Sequence, residues 1–430
     1  MRISRTRRVV VAVAAATSLT VAGCSTDDGG AAAADTTTTA AAGDSIDLAA
    51  LDTGAYNTEP KDFVEQGQRA EDFGPAVEGQ RLAEFVVHPH TIDPALTVGG
   101  PNNGVFVGGF GPIFTGTERQ VVEPFSMIHA FDSSRSTADE SRTLGIGVWR
   151  FPTDDDAAGA AQALHQAIVS PSGEDLTSGP ETPVSVPQLP GTLASTYTWP
   201  ETGTTSLNTL TPRGMFVIYT YTSDRSGESA WVTDTAARAV QQQIELLDRF
   251  PATPTDEIGA LPVDLDKVLA RTVGFLDNEY ARNSDTAIYG PDGWLHFDSH
   301  PAVTEDLFER TGTDRIAKAN SNVYRTAGAA DADDLKAAFI EMNGDTYPDL
   351  VTDTALAQDL PGTTCWSGDT AQGRIGVCLM TYGRYMAEVS GFRAIANTDP
   401  DNDTLRTIAQ RVATQYTKFV RADEMGLGEN

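Results

Sequence analysis

One four-residue phrase occurs twice, as Leu189-Pro190-Gly191-Thr192 and Leu360-Pro361-Gly362-Thr363, and the patterns on either side of it agree in order and spacing. Upstream of the first, an apolar stretch ends at Val148-Trp149-Arg150. Acids follow at Asp154, Asp155 and Asp156, then Ala160, Ala163, Leu164, Ala167 and Ile168 recur at helical spacing. Upstream of the second, Val323-Tyr324-Arg325 precedes Asp331, Asp333 and Asp334, and Leu335, Ala338, Phe339 and Met342 form the same stripe. Downstream of the first copy come a strand over 193–199, a polar turn rich in Thr and Asn, a strand over 215–222 and a helix over 235–249 carrying Val240, Ile244 and Leu247. Downstream of the second come a strand at Cys365, a Gly-rich turn, strands over 374–382 and 385–389, and a helix over 404–420 with Leu405, Ile408, Val412, Tyr416 and Phe419 on one face. The pattern predicts an internal duplication of a strand, helix, strand, strand, helix unit. A chain built this way is α+β: two tandem domains, each a mostly antiparallel sheet with its helices packed on one face. The expected divisions are an N-terminal domain over 47–252, a Pro- and Gly-rich linker over 253–263 and a C-terminal domain over 264–425, which opens on an amphipathic run from Leu265 to Tyr280. The acid runs at the helix starts serve the free N–H groups and the positive end of the helix dipole.

The N-terminus reads as an export address. Met1 to Arg8 is basic, an apolar run extends from Val9 to about Val21, and Val21-Ala22-Gly23-Cys24 closes it. The run is too short to span a bilayer, and its order is that of a secretory signal over 1–23. The last four residues match a bacterial lipobox, so the Cys24 thiol is expected to carry a diacylglyceryl lipid. Thr6-Arg7-Arg8 also fits a twin-arginine signal loosely, leaving the export route open. Residues 24–46 are Ala, Thr, Asp and Gly with almost nothing apolar to bury, so a flexible tether is expected there.

Of three cysteines, Cys24, Cys365 and Cys378, the last two remain as an even pair in an exported chain. Each sits on a short apolar stretch either side of a Gly-rich turn, which predicts two antiparallel strands and a disulfide across them. A catalytic thiol or a two-cysteine metal site is disfavoured, because no His lies nearby in sequence.

Chemistry is harder to find. Sixty acidic residues against thirty basic ones leave a net charge of -30, the wrong sign for a nucleic-acid partner, which is held by Lys and Arg. There is no P-loop, no G-x-S-x-G and no H-E-x-x-H. His296-Phe297-Asp298-Ser299-His300 would, on a strand, put His296, Asp298 and His300 on one face, a weak metal-ligand candidate; an ordinary half-exposed strand has the same alternation. His88-Pro89-His90 reads as a loop. Asp399-Pro400-Asp401-Asn402-Asp403 lacks the Gly and Glu of an EF-hand and reads as the cap of the last helix. The glycine-punctuated stretch from Gly99 to Gly111 fits a β-hairpin. No catalytic residue, cofactor or resident metal is assigned.

The lipobox, the tether and the segment Leu51 to Pro60 opening the folded part resemble an uncharacterised two-domain lipoprotein family of mycolic-acid-bearing actinobacteria. Gly79-Gln80-Arg81-Leu82-Ala83, Tyr289-Gly290-Pro291 with Leu295-His296-Phe297, and the Cys365 and Cys378 pair are further marks of that resemblance. It implies a cell-envelope location and no known activity. The expectation is therefore a protein anchored through Cys24 to the outer face of the cell membrane, not an enzyme, that binds an envelope ligand or a membrane-protein partner. The alternative is a secreted hydrolase or metal-dependent enzyme whose site assembles from distant residues, with His296, Asp298 and His300 as its first candidates.

Overall fold

The computed structural model describes residues 46–61, 70–109, 114, 116–171, 180–277, 279, 285–371, 373–394 and 404–427. Cys24, the signal, the tether and the 399–403 acid run lie outside the described residues. The first half runs α1 (Ala70–Ala83), α2 (Pro89–Ile92), β1 (Leu96–Gly99), β2 (Gly104–Val107), α3 (Gly116–Val122), β3 (His129–Thr137), β4 (Arg142–Arg150), α4 (Asp154–Val169), β5 (Thr182–Val184), β6 (Leu193–Thr198), β7 (Thr205–Arg213), β8 (Phe216–Asp224) and α5 (Ser229–Leu247). The second runs β9 (Ala287–Tyr289), α6 (Pro291–Leu295), α7 (Pro301–Thr311), β10 (Arg315–Lys318), β11 (Asn322–Arg325), α8 (Ala329–Thr346), β12 (Val351–Thr352), α9 (Thr354–Ala357), β13 (Thr363–Asp369), β14 (Gly373–Tyr382), β15 (Tyr385–Ala394) and α10 (Thr404–Glu424).

The strand orders carry the duplication. The first sheet is β1-β3-β4-β8-β7-β6-β5 with β2 also on β3; the second, read from its other end, is β9-β10-β11-β15-β14-β13-β12. Strand for strand the two paths are the same, and in both the helix after the β4 or β11 strand crosses to the far edge before the chain returns. The repeated Leu-Pro-Gly-Thr phrase is the turn into β6 and into β13, and its glycines take positive φ, 84° at Gly191 and 69° at Gly362, a region that glycine enters without steric cost. The tight turns from β7 to β8 and from β14 to β15 use Gly214 and Gly383 in the same way, at φ 56° and 53°.

The α+β class holds, but each sheet is covered on both faces rather than one. On the first sheet, α4 packs over Trp149, Leu210, Val217 and Tyr219, while α5 packs over Leu144, Ile146, Val148, Leu207 and Ile218. These sets alternate along β4, β7 and β8, as side chains must on a pleated strand. In the second sheet Phe339 of α8 meets Tyr324 at 5.2 Å between ring centroids, and α10 presses Ile408 onto the opposite face where Gly376 and Gly391 leave room. At α4 the cap is Thr153, whose hydroxyl accepts from Asp156 N; the three acids fill the first turn.

Residues 47–430 form one compact unit, and the buried cluster around α1 and α5 continues into Tyr289, Trp294, Leu307, Phe308, Tyr324 and Met386 of the second half. Glu78 of α1, with no exposed side-chain surface, binds Arg150 at 2.9 Å and Thr253 N at 2.7 Å, so the start of the 253–263 stretch is held against the first half. Among the described residues no helix is long and apolar enough to cross a membrane.

Four local expectations are corrected. The Thr- and Asn-rich stretch after 199 is the interior strand β7, several of whose polar side chains find partners: Thr209 with Thr220 at 2.6 Å on β8, and Thr211 with Thr192 at 2.8 Å in the turn before β6. Residues Gly99 to Val107 make no hairpin, since β1 and β2 each pair with β3, along different lengths of it. The run from Leu265 is not a continuous helix: Asp264 accepts from Leu269 N and Ala270 N to close a short turn at Leu269–Arg271, Lys267 takes φ 55° and Leu265 is 72% exposed. Residues 296–300 are not a strand, because Pro291 and Pro301 each start a helix and the segment is the connection between α6 and α7.

Candidate functional site

Past the end of α4, the described residues on the face of the first sheet that carries Trp149 and Tyr219 line a cavity of about 530 Å³. Its floor is made by strand positions that alternation puts on one face: Asp132, Ser134 and Ser136 of β3, Thr143 and Gly145 of β4, Asn208 of β7, Tyr219 and Tyr221 of β8. Phe114, Ile168, Glu181 and Trp199 form the walls. Two glycines make the floor shallow. A Cβ on Gly147 would stand 2.2 Å from Asp132 Oδ1 and 2.6 Å from Trp149 Nε1; the hydrogen bond between those two atoms, 2.9 Å, passes over it. A Cβ on Gly145 would meet nothing closer than 3.8 Å, so there the glycine leaves open space.

The polar groups are built in. Glu181 accepts from Ser195 Oγ at 2.6 Å and from Asn208 Nδ2 at 2.8 Å, and Tyr219 donates to Asn208 Oδ1 at 2.7 Å. Tyr219 stacks on Trp149 at 4.9 Å, and Phe114 stands edge-on to both. Burial pushes the Asp132 carboxyl up to about 7, opposed by the Trp149 hydrogen bond. Burial also raises Glu181, against its bonds from Ser195 and Asn208. None of the described residues lining this cavity is Lys or Arg. A site with aromatic planes, hydroxyls, amides and carboxylate acceptors but no cation repels phosphates and carboxylates and suits a neutral donor-rich molecule.

The residues singled out in sequence are placed elsewhere. His296 is buried with both ring nitrogens engaged, Nε2 donating to Ala83 O at 3.1 Å and Nδ1 accepting from Ser133 Oγ at 2.8 Å. Its ring stacks on His88 at 3.9 Å, and burial lowers both pKa values, to about 3 at His88. Asp298 instead caps His300 N at 2.6 Å, and His300 is exposed at the start of α7. The three are not turned toward one point. Among the described residues no group of three or more His, Cys, Asp or Glu is arranged to hold a metal ion. His88-Pro89-His90, read as a loop, opens the single turn of α2.

What the His296 segment does is join the halves. Arg135 of β3 donates to Thr97 O, Leu295 O and Asp298 O, and Asn103 bridges His296 O and Ser134 N. Gln80 spans Ile288 N and Thr286 O, and Glu84 accepts from Gly293 N at 3.0 Å. The stretches over 79–83 and 289–297, far apart in sequence, therefore meet. Gly290 and Gly293 are needed where they are, since a Cβ on either would lie within 2.7 Å of the Glu84 carboxylate. The opening segment docks on α10 in the same spirit: Asp52 accepts from Gln410, and Arg421 reaches Thr58 and Glu59. Cys365 and Cys378 are directly opposed on β13 and β14 and form a disulfide, Cα to Cα 4.1 Å. None of the cavity's polar residues stands out in the sequence as a functional candidate, and Ile168 and Trp199 are legible only as parts of a helix stripe and a strand; Asp132 within a polar strand and Gly145 and Gly147 alternating on β4 are the signals present.

Two family models match the chain: "Domain of unknown function (DUF7373) N-terminal" over residues 65–263 and "Domain of unknown function (DUF7373) C-terminal" over 268–421. No curated protein matches it. Among solved structures, the extracellular domain of PknH from Mycobacterium tuberculosis is similar at 14% identity and TM-score 0.29, over 40% of this chain and 95% of that one. DynU16, from the dynemicin biosynthetic locus, is similar at 11% identity and TM-score 0.11, over 66% of this chain and 98% of that one. Both scores are too low to carry an argument. The chain belongs to the two-domain DUF7373 family, whose function is unknown.

Proposed function

We propose that this DUF7373 protein is a lipid-anchored, extracytoplasmic binding protein that holds a neutral, polyhydroxylated ligand of the saccharide class in the cavity of its first sheet. The observation that carries the reading is the cavity's lining: Trp199 and Tyr221 offer planes for C–H faces, Asp132, Glu181 and Asn208 keep second lone pairs as acceptors, and no Lys or Arg is among the described lining residues to hold an anionic ligand. The anchor is the lipobox at Cys24, and the resemblance to lipoproteins of mycolic-acid-bearing actinobacteria supports an envelope location. Binding is favoured over hydrolysis because both oxygens of Glu181 already accept hydrogen bonds and Asp132 is held by Trp149, so these two carboxyl groups are committed to the protein's own donors rather than to acid and base roles.

The experiment is a titration of the mature chain with a panel of envelope sugars, read by calorimetry and by tryptophan fluorescence. Saturable binding, weakened tenfold or more by Asn208→Ala and Trp199→Ala, supports the reading. Catalytic turnover of a sugar, or binding of no sugar while a membrane protein co-purifies with the lipidated chain, overturns it. Lipidation is tested separately: Cys24→Ser should abolish labelling by a palmitate analogue and release the protein from the membrane fraction.

A further inference from the structure

The second sheet has a cavity at the corresponding place. It measures about 320 Å³ and lies against α8, where the first lies beyond α4. The turn glycines give the alignment. Asn208, Tyr219 and Tyr221 stand six residues before, five after and seven after Gly214, and Val377, Glu388 and Ser390 stand at the same distances from Gly383. The first three line the first cavity and the second three line the second. The rest of the lining differs. Here the walls are Trp294, Phe297, Tyr324, Phe339 and Tyr347, with Met342 and Ile375 between them, and Trp294 stands edge-on to Tyr324 at 5.6 Å. Glu388 lies on the floor where the first sheet has Tyr219. Its Oε2 has only two long partners, Asn322 Nδ2 at 3.4 Å and Tyr324 Oη at 3.3 Å. None of the described residues lining this cavity is Lys or Arg, although Lys318 Nζ stands 5.3 Å from the centroid of the Phe297 ring; His300 and Asp298 stand at its rim.

Burial raises the Glu388 pKa, and among the described residues no cationic side chain reaches its carboxyl to oppose that. Ring faces attract cations, most strongly where water is displaced, and a protein of net charge -30 draws cations toward its clefts. A volume at the lower end of the range for small-molecule sites suits a compact ligand. We infer that the second repeat is a separate binding site for a small organic ammonium ion, with the charged nitrogen on Glu388 and its apolar body against the aromatic wall formed by Trp294, Tyr324 and Phe339. The duplication has thus kept the place of the site and changed its chemistry, so that one protein carries a neutral-ligand site and a cation site.

The test uses the mature chain with two probes of nearly equal shape, phenethylammonium and 2-phenylethanol. Phenethylammonium should bind at least tenfold more tightly, and Glu388→Gln should remove that preference while leaving the alcohol's affinity unchanged. Asn343→Phe, which fills the cavity from the surface of α8, should abolish binding of both, and guards against a Glu388→Gln chain that does not fold. Asn208→Ala, in the first cavity, should change neither. Equal affinity for the two probes, or ammonium binding that survives Glu388→Gln, overturns the inference; failure of the sugar panel would leave it standing, since the two sites are read by different ligands and different variants.

Discussion

Replacing Glu78 by Ala should be among the most damaging single changes in the molecule. Glu78 has no exposed side-chain surface, and Arg150 opposite it is 1% exposed. Its Oε1 accepts from Arg150 Nη1 at 2.9 Å and Thr253 N at 2.7 Å, and its Oε2 from Arg81 Nη1 at 2.5 Å and Thr253 Oγ1 at 2.9 Å. Without the carboxylate, Arg150 keeps Thr253 O and the face of Phe216 at 5.8 Å, and a guanidinium stays buried without its counter-charge. Removing one partner of a buried pair costs roughly 3–5 kcal/mol. The backbone N–H of Thr253 also loses its acceptor, which adds about 1–3 kcal/mol if water cannot reach it. The double variant Glu78→Met with Arg150→Met should recover most of the loss, because apolar side chains of similar volume need no partner. Urea unfolding at neutral pH, followed by both far-UV circular dichroism and tryptophan fluorescence, measures the three chains; coincident transitions are required before a free energy is drawn from them. A loss below about 1 kcal/mol for Glu78→Ala, or a double variant as unstable as the single, would refute the reasoning, because the pair would then be neither dry nor mutually dependent.

Reducing the disulfide, or changing Cys365 and Cys378 together to Ala, should lower stability by about 3 kcal/mol on the loop-entropy model, seen as a lower melting temperature in dithiothreitol that the double variant does not show. Gly147→Ala should cost about 1–3 kcal/mol, since the new Cβ overlaps the Asp132 to Trp149 hydrogen bond, and should weaken sugar binding, measured on the same preparation. Asp132 has a folded-state pKa raised from 3.8 to about 7, so the native state holds its proton more tightly than the unfolded one. The stability this contributes is complete below the unfolded value and is lost as pH rises through the window up to about 7, at ~1.4 kcal/mol per pH unit for a fully shifted group. Asp132→Asn should flatten that slope in urea midpoints between pH 4 and 7; an unchanged slope would show that the carboxyl is not what titrates.

Much of the architecture was legible because its signals are local. A helix stripe such as Leu335, Ala338, Phe339 and Met342, a turn phrase that needs glycine, and two cysteines flanking a polar turn each report on a short stretch of chain; repetition of the helix and turn signals in one order specified the duplication, and the cysteine pair, present only in the second copy, specified the disulfide. The sequence also carried the family marks, yet their purpose was hidden: Gly290 and Gly293 are glycines because Glu84 approaches them, and nothing along the chain links position 84 to position 290.

What tertiary structure alone decided is which face of each strand is covered and which distant residues share it. β7 looks like a loop by composition and is an interior strand because Thr209 and Asn208 find partners on β8 and Thr211 in the turn before β6. His296 looks like a ligand by spacing and is a core residue because the chain bends between two prolines and delivers its ring to Ala83 and Ser133. Among the described residues, the first cavity lies past the end of α4 and the second between α8 and its sheet, a matter of where packing ends. Hydrophobic periodicity says that a face will be buried; only the assembled layers determine what is left open and which side chains look into it.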